Sequence, residues 1–233
     1  MRYRRWIRRA LAGAALCVVA GLGARADFDD GMAAFQSGDY TAAYDAWRPL
    51  AEAGEAEAQF AVGLLHVGGL GVPLDLAEAV RWYRLAAEQG HGKAQYNLAG
   101  MYFYGQGVAQ DYDQARAWFR RAADQGLAAG QFGLGLIFQD GYGVARDPAE
   151  AARWYRLAAD QGHADAQYNL ALMYEAGNGV PKNAVEAHKW YSLAAADGIE
   201  LAGDGRDQLA VKMTAAQIEQ AEELAQAWTH ERD

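Results

Sequence analysis

The chain has 233 residues, 52% of them hydrophobic, with 21 Lys and Arg against 30 Asp and Glu and a formal net charge of −9. An acidic balance argues against nucleic acid or an anionic lipid surface as partner, since both need neutralising cations. One cysteine, Cys17, rules out an intrachain disulfide framework.

Residues 1–26 read as a signal peptide. Arg2, Arg4, Arg5, Arg8 and Arg9 form a basic head, Ala10 to Gly23 an apolar stretch, and Ala24-Arg25-Ala26 a small-x-small cleavage site. The stretch is short and rich in Gly and Ala for a membrane span, so cleavage before Asp27 is expected, with no span afterwards. Arg8 and Arg9 stand where a twin-arginine signal wants apolar residues, which favours ordinary secretion. The leader holds six of the 21 basic residues and none of the 30 acidic ones, leaving a mature chain with 15 against 30, about −15. That surface favours a basic partner segment. Cys17 goes with the leader, so the mature chain has no cysteine.

Residues 27–55 form a degenerate leading repeat, in which Trp47 falls one place off the register of the later tryptophans. From residue 56 the register is strict. Trp82, Trp118, Trp154 and Trp190 recur every 36 residues, as do Gln59, Gln95, Gln131 and Gln167 and the Gly-x-Gly-Val loops starting at Gly69, Gly105, Gly141 and Gly177. A period of this size marks a stacked repeat array, which presents a long surface rather than one catalytic pocket. The four units are 56–91, 92–127, 128–163 and 164–199.

Each unit reads as two helices. In the second, Ala94, Leu98, Met101 and Tyr102 keep a helical apolar period. The loop glycine at 105 ends the helix, and Asp111 caps the next. Ala115, Trp118, Phe119 and Ala122 make that helix's apolar stripe. Alanines 79, 115, 151 and 187 permit close approach, while the tryptophans, with Tyr83, Phe119, Tyr155 and Tyr191, fill the space between units. Glu78 with Arg81, Glu150 with Arg153 and Glu186 with Lys189 are expected as surface pairs. Residues 200–233 break the pattern as a terminal cap, and Thr214 with Gln217 makes a capping box for a helix carrying Ile218, Ala221, Leu224, Ala225 and Trp228.

The string Ala-Gln-Tyr-x-Leu-x-x-Met-Tyr, then Gly-x-Gly-Val, then Ala-x-x-Trp-Tyr (or Trp-Phe)-x-x-Ala-Ala-x-x-Gly resembles the Sel-one-like repeat, a relative of the tetratricopeptide repeat. The best matches are 94–126 and 166–198. The resemblance implies an all-α, right-handed αα-superhelix, or solenoid, of 36-residue helix-turn-helix repeats acting as an adaptor or scaffold. It also implies, for exported bacterial members, periplasmic or secreted roles in envelope signalling, secretion or host interaction. Some secreted relatives are linked to β-lactam binding or hydrolysis and carry a cysteine pair in each repeat. This chain has none, so that activity is not carried over to it; a cell-wall-related or β-lactam-binding or β-lactam-hydrolysing enzyme of the secreted type is the alternative reading.

Positions identical in every unit serve the fold, and positions that vary are free for a ligand. On the first helix, unit positions 2, 6, 9 and 13 vary and share one helical face. In a solenoid of the expected hand that face lines the concave surface. The candidate partner-binding residues on it are Glu57, Leu64, Lys93, Asn97, Tyr104, Leu136, Asp140, Asp165, Asn169 and Leu172, among small residues such as Ala61, Gly100 and Gly133. Asn97 and Asn169 suit hydrogen bonding to a peptide backbone. Lys93 with Asn97 resembles the peptide-carboxylate clamp of some tetratricopeptide proteins, and Phe103-Tyr104 is the candidate aromatic anchor.

Catalytic patterns are missing. The Gly-x-Gly loops follow helices rather than strands, so they are turns and not dinucleotide loops. His91 and His163 share a hinge position as repeat filler, His66 replaces the core tyrosines at 102 and 174, and His188 stands alone on an outer helix. None has metal-cluster spacing or a poised nucleophile. The expectation is a binding protein with no enzymatic activity, cofactor or metal, taking a protein or peptide segment, preferably a basic one. A purely structural subunit using its convex face is a further reading.

Overall fold

The computed structural model describes residues 22–230. Residues 1–21 of the expected signal peptide, with its basic head and Cys17, lie outside the described residues. The described residues hold twelve helices and no strand: α1 Leu22–Ser37, α2 Tyr40–Glu52, α3 Ala56–Gly68, α4 Leu76–Glu88, α5 Gly92–Tyr104, α6 Tyr112–Asp124, α7 Ala128–Asp140, α8 Pro148–Asp160, α9 Ala164–Ala176, α10 Ala184–Ala196, α11 Glu200–Ala210 and α12 Ala215–His230. The nine helices from α2 to α10 are each 13 residues long, or about 20 Å at 1.5 Å per residue. The chain divides into two compact units, residues 1–121 and 122–233, and the division falls inside α6.

Local chemistry sets the helix boundaries. Asp75, Asp111, Asp147 and Asn183 each accept a backbone N–H of the first turn of α4, α6, α8 and α10. Orphan amides at a helix start need such acceptors. The first helix of each repeat ends at Gly69, Gly105, Gly141 or Gly177, all left-handed, with φ of 61°, 66°, 77° and 74°. The second loop glycine serves packing. A Cβ on Gly107 would lie 2.2 Å from the Leu76 carbonyl oxygen, and one on Gly179 would lie 2.2 Å from the Pro148 carbonyl oxygen. Each loop therefore rests directly on the start of the preceding repeat's second helix.

In the first unit, successive helices pack in order from α1 to α5. The leading segment is a complete hairpin of α1 and α2. Its Trp47 is buried, donates from Nε1 to the Phe28 carbonyl at 3.1 Å, and stacks near Phe28 at 5.6 Å. Ala58, Val62, Leu65 and Trp82 continue this core. In the second unit α7, α8, α9 and α10 pack in succession, and α10 carries both α11 and α12. Trp190 and Tyr191 sit at the centre of that core, and Trp228 of α12 meets Trp190 edge-on at 6.2 Å. The capping box forms: Thr214 N–H donates to Gln217 Oε1 at 2.9 Å, and Gln217 N–H donates to Thr214 Oγ1 at 3.3 Å.

The invariant glutamine is a rung between helices. Gln59, Gln95 and Gln167 donate from Nε2 to the carbonyls of Ala51, Ala87 and Ala159, at 3.1, 3.0 and 3.2 Å. Gln59 and Gln131 accept in turn from Gln89 and Gln161, both at 2.8 Å. Each of these carbonyls also accepts the N–H of the turn glycine, Gly54, Gly90 or Gly162, so the buried amide adds a second bond that ties the two helices together.

Candidate partner-binding face

The variable stripe lies on α3 and α5 of the first unit and on α7 and α9 of the second. The fold treats its positions unequally. Leu64 and Asn97 are buried, at 6% and 2% exposure, whereas Tyr104 is 57% and Leu172 40% exposed. Glu57 and Asp140 are exposed; Lys93, Leu136, Asp165 and Asn169 are half-buried. In the first unit the solvent-facing part of the stripe is thus its two ends, Glu57 with Lys93 and then Tyr104. The paired asparagines differ, since Asn169 reaches solvent and Asn97 does not. Phe103 and Tyr104 also part company. Phe103 packs edge-on against Tyr112 at 5.4 Å and Phe119 at 6.5 Å, leaving Tyr104 as the accessible ring.

Glu57 is tied into the hinge between repeats. His91 accepts the Ala94 N–H on Nδ1 at 3.0 Å, so its proton sits on Nε2, which donates to Glu57 at 2.9 Å. That hydrogen bond holds the Glu57 carboxyl below the usual glutamate range against the opposing effect of burial, and the charge of Lys93 assists. His91 also stacks on Phe60 at 4.6 Å, and His163 stacks on Phe132 at 4.6 Å while accepting the Ala166 N–H at 3.3 Å. Both hinge histidines are helix caps. Their shared position one residue before a helix was the visible signal, but histidine is absent from the usual capping set.

Within each unit an arginine of a second helix also bonds a tyrosine of the next repeat's first helix. Arg84 donates to the Tyr102 hydroxyl at 2.6 Å, and Arg156 makes the equivalent bond to Tyr174. Arg156 further lies over the Trp190 ring at 4.9 Å. Beside it, an open groove of about 600 Å³ is lined by Leu157, Leu170, Tyr174 and Val180 together with Arg153 and Arg156.

Two expectations need correction. Glu78–Arg81 and Glu150–Arg153 form as expected. Glu186 instead accepts the Trp190 indole N–H at 2.9 Å and lies 3.8 Å from Arg156, while Lys189 sits over the Trp190 ring at 4.4 Å. Glu150 likewise accepts the Trp154 indole at 2.8 Å and still holds Arg153, so the difference lies with Lys189, which rests on the ring rather than on the carboxylate. His188 is not on an outer surface: it is 3% exposed, beneath α12. His66 packs edge-on to Tyr44 at 5.9 Å, in the core place expected for it. Among the described residues no group of three or more His, Cys, Asp or Glu could hold a metal ion. Nor is any described helix long and apolar enough to cross a membrane.

Comparison with known proteins agrees with this architecture. The Sel1 repeat family matches at residues 56–91, 92–127, 128–163 and 164–199. No curated protein matches the chain. Among solved structures, a protective antigen present in uropathogenic Escherichia coli strains, displaying an SLR fold, is 31% identical with a TM-score of 0.78. That match covers 98% of this chain and 48% of the antigen, so the chain spans about half the antigen's length. A Sel1 repeat protein from Oxalobacter formigenes is also 31% identical, with a TM-score of 0.76 over 87% of this chain and 85% of its own. One from Klebsiella pneumoniae subsp. pneumoniae, at 22% identity and a TM-score of 0.53 over 88% of this chain and 98% of its own, shares the fold. Four matched repeats over an unbroken succession of capped helical hairpins establish that this chain belongs to the Sel1 repeat family, whose members are generally protein-interaction scaffolds.

Proposed function

We propose that the chain is an exported adaptor with no chemistry of its own, which holds a segment of a partner protein on the variable face of its first helices. The observation that carries this reading is the contrast between positions. Every repeat repeats its glutamine, glycines and aromatics in the packing, while the residues left in solvent on the first helices change from repeat to repeat. Tyr104 and Leu172 are the exposed anchors, since large apolar groups on an accessible face supply most binding energy. In the first unit Lys93, at the other end of α5 from Tyr104, and in the second Asp165 and Asn169, on the helix that carries Leu172, provide polar contacts that orient a peptide backbone. The acidic excess of the mature sequence favours a basic segment. A periplasmic or secreted destination follows from the leader-like residues 1–26, and envelope signalling, secretion and host interaction are the settings that fit it.

Crosslinked affinity capture from envelope extracts tests the reading, run with the parent and with a Tyr104→Ala/Leu172→Asp variant. Both substitutions lie on exposed side chains, so the variant should keep the parent's melting temperature. A partner held by the parent and lost by the folded variant supports the first-helix face. Equal recovery by both refutes it and directs attention to the groove beside Arg156. Hydrolysis of a cell-wall or β-lactam substrate by the purified chain would overturn the adaptor reading itself.

A further inference from the structure

Two repeats join the arginine at the ninth position of the second helix to a tyrosine 18 residues on, Arg84 to Tyr102 and Arg156 to Tyr174. The second repeat keeps the arginine, Arg120, and carries another large ring, Phe138, at the tyrosine's place. In the fourth repeat the two places hold Ser192 and Ala210. Both large partners are missing at once. In their place lies a hollow of about 550 Å³, bounded by α10, α11 and the terminal helix α12. That volume is in the range of small-ligand sites, roughly 300–1,000 Å³.

Its lining is chemically specific. His188 lines the hollow at 3% exposure, and its Nδ1 finds no hydrogen-bond partner in the protein. A buried polar atom without a partner is costly, so an orphan in a cavity wall marks a place for a ligand. Burial, and then the nearby Arg206 charge, hold the imidazole below the usual histidine range despite Glu222 and Asp207, so it is neutral near pH 7. Arg206 is already bound to Asp207, through Nε at 2.9 Å and a terminal nitrogen at 2.8 Å. Glu222 from α12 makes no such bond. The wall therefore carries one uncompensated negative charge, with acceptors on Ser192 and Gln226 close by.

We propose that this hollow is a receptor for a guanidinium group, seated where the repeat's own arginine is missing. A planar cation with five donors matches a free carboxylate flanked by neutral acceptors. The apolar flank from Ala210, Ile218 and Ala225 suits the methylene stem that such a cation carries. The site is separate from the first-helix face and does not depend on it. The guanidinium can come from an arginine side chain of a polypeptide or from a small free guanidine compound.

The test is a titration of the full chain, followed through the backbone amide signals of Ser192 and Ala210. The probes are N-acetyl-arginine-N-methylamide, agmatine, and the matching lysine and norleucine amides. Saturable shifts with the guanidine probes alone are expected. Glu222→Gln should weaken them by about tenfold, as expected for a lost charge-assisted hydrogen bond. Ser192→Arg restores the residue of the earlier repeats and should abolish binding by filling the hollow. Tighter binding of the capped arginine would point to a polypeptide source, and tighter binding of agmatine to a free compound; either supports a guanidinium receptor. The proposal is overturned by no saturable shift at millimolar probe, by equal response to the norleucine or lysine amide, or by Glu222→Gln leaving affinity unchanged. Because Glu222 is exposed, that variant decides the matter even if Ser192→Arg fails to fold.

Discussion

Gly135 in the middle of α7 gives the sharpest test of the packing. In an exposed helix interior, glycine to alanine stabilises by about 1 kcal/mol. Here a Cβ would lie 2.3 Å from Cε1 and 2.4 Å from Cδ1 of Tyr155, whose ring is fully buried. Carbon atoms in contact prefer roughly 3.5–4.0 Å, so the ring must retreat by about 1 Å into filled space. Overpacking of this kind costs about 1–3 kcal/mol. With nothing around the ring to yield, the upper half of that range applies, and the net effect of Gly135→Ala is a loss of about 1–2 kcal/mol. At roughly 2–4 °C per kcal/mol, thermal unfolding followed by circular dichroism should show a fall of about 5 °C. In a Tyr155→Leu background the clash is gone, and the same alanine should stabilise by about 1 kcal/mol. The second and fourth repeats carry Ala99 and Ala171 at this position, so a ring that could slide would accept the methyl. A rise in melting temperature for Gly135→Ala alone would therefore refute the reasoning.

The Tyr155 hydroxyl is itself buried without a partner, and burial raises its pKa far beyond the usual tyrosine range. Tyr155→Phe should leave stability unchanged or raise it, because an orphaned buried donor costs about 1–3 kcal/mol; a loss above about 1 kcal/mol in urea unfolding would contradict that. Glu57, with its pKa lowered by His91, adds stability above its unfolded value, near 4.3, and loses it as pH falls through the lower folded value. The side chain is 52% exposed, so solvent screening keeps the contribution below about 1 kcal/mol. The stability gap between parent and Glu57→Gln should thus be present at neutral pH and close at acid pH, and a gap that widens on acidification would rule out this linkage.

Most of the fold was legible because the repeat states its rules four times over. Glycine at the first loop position, an acidic or amide cap, and an aromatic pair each recur at fixed spacing, and each maps to one physical need. Roles that depend on a partner elsewhere in the chain were harder to read. Gln59 and Gln95 advertise themselves by invariance, yet only the structure shows that they tie their helix to carbonyls at the end of the preceding one. His91 looked like filler because its cap runs through a ring nitrogen. Glu186 kept the spacing of a surface ion pair, but Lys189 rests on the Trp190 ring instead.

The variable stripe shows why the face was harder still. Helical spacing fixes which side of its own helix a residue occupies, but not what the next helix lays across it. Asn97 and Asn169 share one repeat position and identical local chemistry, yet one is buried and the other half-exposed. Variation between repeats therefore has two sources: a position is released from the packing rule because it faces solvent, or because its neighbours differ. Leu64 and Asn97 vary while buried, so in them the second source operates. Tyr104 and Leu172 vary while exposed, and only there does variation speak for a ligand. The same distinction singles out the fourth repeat, where Ser192 and Ala210 depart from an arginine and a tyrosine together. The second repeat changes only the tyrosine, to Phe138, and keeps a large ring there. Losing both leaves no orphan of the old pair, only space, and the space is lined by a histidine that has no partner of its own.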